Sequence, residues 1–202
     1  MSSVKRLGFF AFVCSLLLTA CATSEPIPED HFYRLLSQNN PTPIEKPVIN
    51  GVLKVEPIKS FGIYRERAIL FTRSDSPETL KQHHYHHWID TPTRLIRDQL
   101  VDYLRKSAIA ETVAGAQIGM KGDVRLHLEL KHFERVLHPS GSVSVKVRLD
   151  AMIADKSNRP LKVVSYLQEP LAENSSIAAS VAAINLALVE IYRKLVEEMR
   201  HL

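Results

Sequence analysis

The run His83-His84-Tyr85-His86-His87-Trp88 gathers four imidazoles in six residues, side chains able to bind metal or carry protons. Successive side chains on a β-strand point to opposite faces. A strand here is expected to put His84, His86 and Trp88 on one face, with His83, Tyr85 and His87 on the other. His84 and His86 are then the pair that would grip zinc or copper. A catalytic zinc takes three protein ligands, each oriented by an outer hydrogen-bond partner. No third ligand is identifiable, so the tract reads as an aromatic-rich strand with ring edges turned to water. No metal and no cofactor are assigned.

Other chemistry is sparse. Asp150 with Asp155, or Glu197 with Glu198, has the makings of an acid–base pair, but such spacing reads as solvated faces. His127 and His132 read as ordinary strand residues. The chain has no Gly-rich phosphate loop, no Gly-x-Ser-x-Gly elbow, no His-Glu-x-x-His and no paired cysteines. Its seven glycines leave few places where backbone could cradle a phosphate. No catalytic residue is assigned, and the chain reads as a non-enzyme.

Cys21 carries the clearer signal. Lys5 and Arg6 open the chain with positive charge, an apolar run follows from Leu7 to Leu18, and Leu18-Thr19-Ala20-Cys21 closes it. That is the pattern of an export signal, and the run is shorter than the roughly 20 residues a membrane span needs. Leu-Thr-Ala-Cys resembles the lipobox of bacterial lipoproteins. The resemblance implies a diacylglyceryl group on the Cys21 sulfur, cleavage before it, and a third acyl chain such as palmitate on the freed amine. Each buried methylene contributes about 0.8 kcal/mol, so several chains on one residue make a lasting anchor.

Loss of residues 1–20 removes Lys5, Arg6 and no acid, which lowers the formal charge from +4 to +2. The basic balance therefore belongs partly to the leader, and lysines and arginines elsewhere are interleaved with acids. Nucleic-acid binding is not indicated. Cys14 leaves as well, so the mature chain keeps only Cys21 and can form no internal disulfide. Its stability must come from its core, and the chain is long enough to build one.

Residues 21–47 read as lipidated cysteine, tether and one short strand at His31 to Leu36, with five of the eleven prolines between Pro26 and Pro47. Residues 48–202 read as the folded domain. Leu53 and Val55 begin a β pattern, and the turn Ser74-Asp75-Ser76-Pro77 joins two strands. Thr91-Pro92 predicts a helix start, with Leu95, Ile96, Leu100, Tyr103 and Leu104 on its apolar face. Val124 to Leu130 and Val143 to Ile153 alternate strictly, and His138-Pro139-Ser140-Gly141 predicts the hairpin between them. Phe133 falls out of phase with Leu130, which indicates a bulge or an aromatic on the second face. Leu161 to Leu167 predicts one more strand. Ile177, Val181, Ile184, Leu188, Ile191 and Leu195 predict a long helix, capped by Asn174 or Ser175, that packs on its own sheet or forms a seam with another subunit. The expected class is α+β, an antiparallel sheet with two amphipathic helices on one face.

The order of these elements carries a second resemblance. Cys21 precedes His31-Phe32-Tyr33-Arg34-Leu35, then Val55-Glu56-Pro57-Ile58, the segment Arg67 to Arg73, and Trp88 leading into Asp90-Thr91-Pro92. Leu95 to Leu104, Asp123 to Phe133 and the terminal amphipathic helix complete it. The chain resembles the ABC-type transport auxiliary lipoproteins, the PqiC-like group. The resemblance implies a non-catalytic outer-membrane lipoprotein on the periplasmic face that docks the MCE-domain protein of an ABC-type intermembrane phospholipid transport system. It also implies contact with the bilayer through acyl chains, and a ring of copies is consistent with a place at a tunnel end. Ala22, in place of the Asp that retains lipoproteins at the inner membrane, favours outer-membrane sorting. The histidine tract departs from the family's tyrosines and mixed polar residues. A different reading of the same chain is a lipoprotein chaperone or plug of another envelope assembly, such as lipopolysaccharide export. A metal-dependent hydrolase using His84 and His86 comes third.

Overall fold

The alternation of Val124, Leu126, Leu128 and Leu130 with polar residues builds the strand on which the sheet is assembled. A computed structural model of the protein describes residues 28–36, 40–115 and 120–202. The expected leader, Cys21 and the tether up to residue 27 lie outside the described residues. The strands are β1 (His31–Tyr33), β2 (Ile49–Val55), β3 (Lys59–Ser60), β4 (Ala68–Arg73), β5 (Ser76–Trp88), β6 (Ala110–Ala114), β7 (Val124–Leu137), β8 (Val143–Asp155) and β9 (Pro160–Gln168). Helix α1 spans Pro92–Ser107 and α2 spans Ile177–Arg200. Among the described residues no helix is long and apolar enough to cross a membrane.

All nine strands join one sheet with β7 at its centre. One edge of β7 pairs along its whole length with β8, and β9 follows β8, both antiparallel. The other edge is shared in succession by β2, β3 and β4, each parallel to β7. Beyond them, β6 flanks β2 while β5 and then β1 flank β4. The class is the expected α+β, and the sheet is mixed because three short strands reuse one edge of a long one. β3 and β6 have no counterpart in the sequence reading, being two and five residues long with little alternation.

The odd positions of β8 from Val143 to Ile153 are all buried, and together with Leu126, Leu128 and Leu130 they form the floor beneath the helices. α2 buries Val181, Ile184, Leu188, Ile191 and Leu195 against this floor. The apolar stripe is therefore used within the domain, and no seam with another subunit is needed to cover it. Fully burying a Leu or Ile contributes about 1.5–3 kcal/mol, so the stripe outweighs any local helix propensity. The cap falls one residue later than expected. Ser176 Oγ accepts from the Ala179 amide at 3.1 Å, while Asn174 Oδ1 turns the chain by accepting from the Ser176 amide at 2.9 Å. The short asparagine side chain serves the turn before the helix, leaving the cap to serine.

α1 begins at Pro92 as its sequence predicts, with Thr91 extended at the N-cap and Asp90 Oδ1 accepting from the Thr91 amide at 2.7 Å. It ends on Ala108, whose φ of 52° is left-handed. Glycine is the usual residue there, because a Cβ in that conformation is strained. Ala108→Gly is expected to raise stability by about 0.5–1 kcal/mol, seen as a higher midpoint in urea with unchanged slope.

Candidate functional site

A phase slip in β7 creates the most unusual side-chain environment of the fold. The ladder to β8 runs from Leu130↔Leu149 to His132↔Arg148, leaving Lys131 as an extra residue. This bulge returns Phe133 to the inner face, where it is 2% exposed and packs on Trp88 at 5.1 Å between ring centroids. Of the two readings of Phe133, the bulge is the observed one. The same slip carries Arg135 inward, and it is only 4% exposed. Sequence reasoning missed Arg135, because a charged residue in a strand reads as surface. The displaced phase of Phe133, two residues earlier, was the available signal.

Arg135 has no carboxylate partner among the described residues. Its Nε donates to Ser180 Oγ at 2.9 Å, its Nη1 to His83 Nε2 at 2.8 Å, and its Nη2 to the Ser175 carbonyl at 2.7 Å. One guanidinium thus joins β7, β5 and the start of α2. Arginine only donates, so His83 must present a bare Nε2 and carry its proton on Nδ1. Burial, and then the positive charge of Arg135, pushes the His83 pKa down to about 4. Burial likewise lowers the pKa of Arg135.

The histidine tract does not alternate as its sequence suggests. Between the pairs Ala68↔His87 and Leu70↔Gln82, Ile69 alone stands opposite His83 to His86. The bulge brings His83 and His86 together, edge to face at 5.7 Å, and turns His84 out to solvent. The expected pairing of His84 with His86 is therefore corrected: the extra residues break the period of two. His86 stacks on His31 at 4.9 Å and its Nδ1 meets the Tyr33 hydroxyl at 3.0 Å. Among the described residues no group of three His, Cys, Asp or Glu side chains converges.

The carboxylates weighed from the sequence have separate partners. Burial raises the Asp150 pKa, but hydrogen bonds from Ser165 and Arg148 outweigh it and hold the carboxyl below the ordinary range. Asp155 is lowered chiefly by the Arg159 backbone amide and pairs with that residue's guanidinium at 2.7 Å. Glu197 faces Arg200 and His201, while Glu198 pairs with Lys162 at 2.8 Å. His127 meets Asn158 at 2.8 Å, and His132 meets Glu134 at 2.8 Å. These contacts tie structure together.

Tyr33 and His86 place the cluster where the N-terminal segment joins the fold. β1 lies parallel to β5 in the register His31↔His86, Phe32↔His87 and Tyr33↔Trp88, and the Ile89 amide donates to the Tyr33 carbonyl at 2.8 Å. Past β1 the chain crosses the helices. The Leu36 amide donates to Asn185 Oδ1 at 2.9 Å, and Gln99 Nε2 donates to the Leu36 carbonyl at 3.0 Å. Gln99 is itself held by the buried Tyr192 hydroxyl, which donates to its Oε1 at 3.0 Å. Further on, the Ile44 amide donates to the Ser107 carbonyl at 2.9 Å. Tyr33, Leu35 and Ile44 all pack against the core. What the arrangement can do is hold a leading segment firmly to both helices and the sheet.

Because folded His83 resists protonation, the unfolded chain binds the extra proton as pH falls through about 6.5. Stability is expected to drop between about pH 6.5 and pH 4 and to level off below that. The effect should be about 1–2 kcal/mol, discounted for partial solvent screening. His83→Gln, which can still accept from Arg135, should flatten that limb in urea titrations across the range.

The comparisons with known proteins follow this geometry. A Xanthomonas campestris protein of the DUF330 family has the same fold, at a TM-score of 0.73 and 20% identity, covering 82% of this chain and 92% of that one. An uncharacterized protein known from its crystal structure is similar at a TM-score of 0.64 and 13% identity, covering 85% of this chain and 99% of its own. No curated protein matches the sequence. The family described as ABC-type transport auxiliary lipoprotein component matches residues 33–196. That span takes in β1's last residue, strands β2 to β9, α1 and nearly all of α2, and the chain belongs to this family of auxiliary lipoproteins of ABC-type transport.

Proposed function

We propose that this chain is an outer-membrane lipoprotein, acylated at Cys21 and facing the periplasm. It would serve an MCE-type phospholipid transport system by docking the periplasm-spanning MCE component. Its work is positional: acyl chains fix one end, residues 22–30 set reach, and the folded domain presents the docking surface. ATP hydrolysis belongs to other subunits.

The observation that supports this most is the construction of the N-terminal junction. Residues 31–33 are paired to β5, Leu36 is bonded to Asn185 and Gln99, and Tyr33 and Leu35 pack on the core. A segment held this tightly transmits the position of its anchor to the whole domain. Family membership supports the link to an ABC-type system, and the lipobox-like Leu-Thr-Ala-Cys supports Cys21 as the acylated residue.

Cys21→Ala is expected to leave the domain folded while moving it from the outer-membrane fraction to the soluble periplasm. Membrane fractionation together with circular dichroism reads both. A variant that stays in the outer membrane and still supports transport overturns the anchoring role. Crosslinking in intact envelopes tests the partner: an MCE-domain protein is expected, and capture of a large β-barrel instead would point to another envelope machine.

A further inference from the structure

The surface beside this junction carries exposed aromatic rings under cations. Phe61 is 60% exposed, with the Arg65 guanidinium 5.8 Å and the Lys131 ammonium 6.0 Å from its ring centroid. Phe32 is 58% exposed, with the Arg67 guanidinium 5.7 Å from its centroid. The two rings are linked through neighbours in the chain, Arg65 and Arg67 being two residues apart. Arg67 Nε donates to the Trp88 carbonyl at 3.1 Å, Ile89 follows at 49% exposure, and Thr91 lines a cleft with Phe61 and Arg65. The cleft holds about 580 Å³ and is completed by Ile58, Lys59, Ser60 and Thr93.

The charge lining the cleft is one-sided, Lys59 and Arg65 with no carboxylate. Among the described residues Lys59, Arg65 and Arg67 have no carboxylate partner, whereas Asp90 is taken by Arg94 and Glu129 by Lys131. Glu66 between Arg65 and Arg67, and Asp30 beside Phe32 at 3.7 Å from His87, are exposed carboxylates at the border of the group. Exposed phenyl rings flanked by cations suit the boundary between headgroups and acyl chains. The place of the patch narrows the occupant further. Seven residues separate Cys21 from residue 28, at most about 25 Å of extended chain. Phe32 lies four residues beyond that. An anchor at Cys21 thus keeps this surface within reach of the bilayer.

We propose that Phe61, Phe32 and Ile89, with Lys59, Arg65 and Arg67, form a membrane-facing surface that rests on anionic phospholipid, the rings entering the headgroup layer and the cleft receiving a phosphodiester. The inference builds on acylation at Cys21 for its proximity argument, but the surface chemistry is tested independently. It gives the tethered domain a fixed orientation, with the start of α1 and the edge at β1 turned to the lipid.

Phe61→Trp supplies a reporter, since the sole native tryptophan, Trp88, is 1% exposed in the core. The mature chain carrying this change is purified from envelopes and its acylation read by intact mass. It is then reconstituted in phosphatidylcholine vesicles with or without phosphatidylglycerol, using brominated acyl chains as quencher. The expected result is blue-shifted emission and quenching that grow with phosphatidylglycerol. Changing Lys59, Arg65 and Arg67 to Gln should weaken the anionic preference by about two orders of magnitude, at about fivefold per cation. A Phe61→Trp residue that stays water-exposed and unquenched in acylated, vesicle-bound protein overturns the proposal, as a surface reserved for a protein partner would. If the mass shows no acyl chains, the anchoring reading fails alone. The same protein is then added to the vesicles from solution, where quenching supports the surface and its absence overturns it.

Discussion

The pairing of β7 along both edges is the constraint on which the other features depend. One edge runs unbroken with β8, while the other is divided among β2, β3 and β4. A strand held on both sides cannot slip without breaking two ladders, so a single extra residue at Lys131 is accommodated locally. The faces of the residues after it are therefore exchanged. Phe133 reaches Trp88 and Arg135 reaches the start of α2 as consequences of that exchange.

Arg135 illustrates how a buried charge can serve geometry. With no carboxylate in contact among the described residues, its burial is offset by hydrogen bonds to Ser180, His83 and the Ser175 carbonyl. Such a group is costly to bury, and a hydrocarbon side chain of similar volume would carry less desolvation penalty. What the guanidinium supplies is three directed bonds to three separate elements. The start of α2 is thereby registered against β5, the strand that receives β1. Nearby, the Gln99–Asn185–Tyr192 network registers the crossing segment against both helices.

Much of this was legible in the residues. Strict alternation from Val143 to Ile153, and the 4-3-4-3-4 spacing from Ile177 to Leu195, state their element types because one face of each must be apolar. The phase error at Phe133 announced the bulge. What stayed hidden depends on partners far away in sequence. Ala110–Ala114 is a strand only because β2 offers an edge, and Lys59–Ser60 only because β7 does. The histidine tract misled because period-two reasoning assumes an unbroken ladder, whereas Ile69 faces four residues there. The latch at Arg135 was hidden for the same reason: its role is set by Ser175, Ser180 and His83, none of them nearer than 40 positions along the chain.

The direction of β1 has a mechanical consequence. A tug delivered through residues 28–30 along the axis of β1 is resisted by its pairing to β5. The bonds between the strands then bear load together in shear, instead of parting one after another as in a peeled hairpin. Behind them, the contacts of Leu36 with Asn185 and Gln99 share whatever strain passes on. Such a junction resists sudden force better than its three-residue length suggests, a useful trait for any domain moored by one end to a fluid sheet.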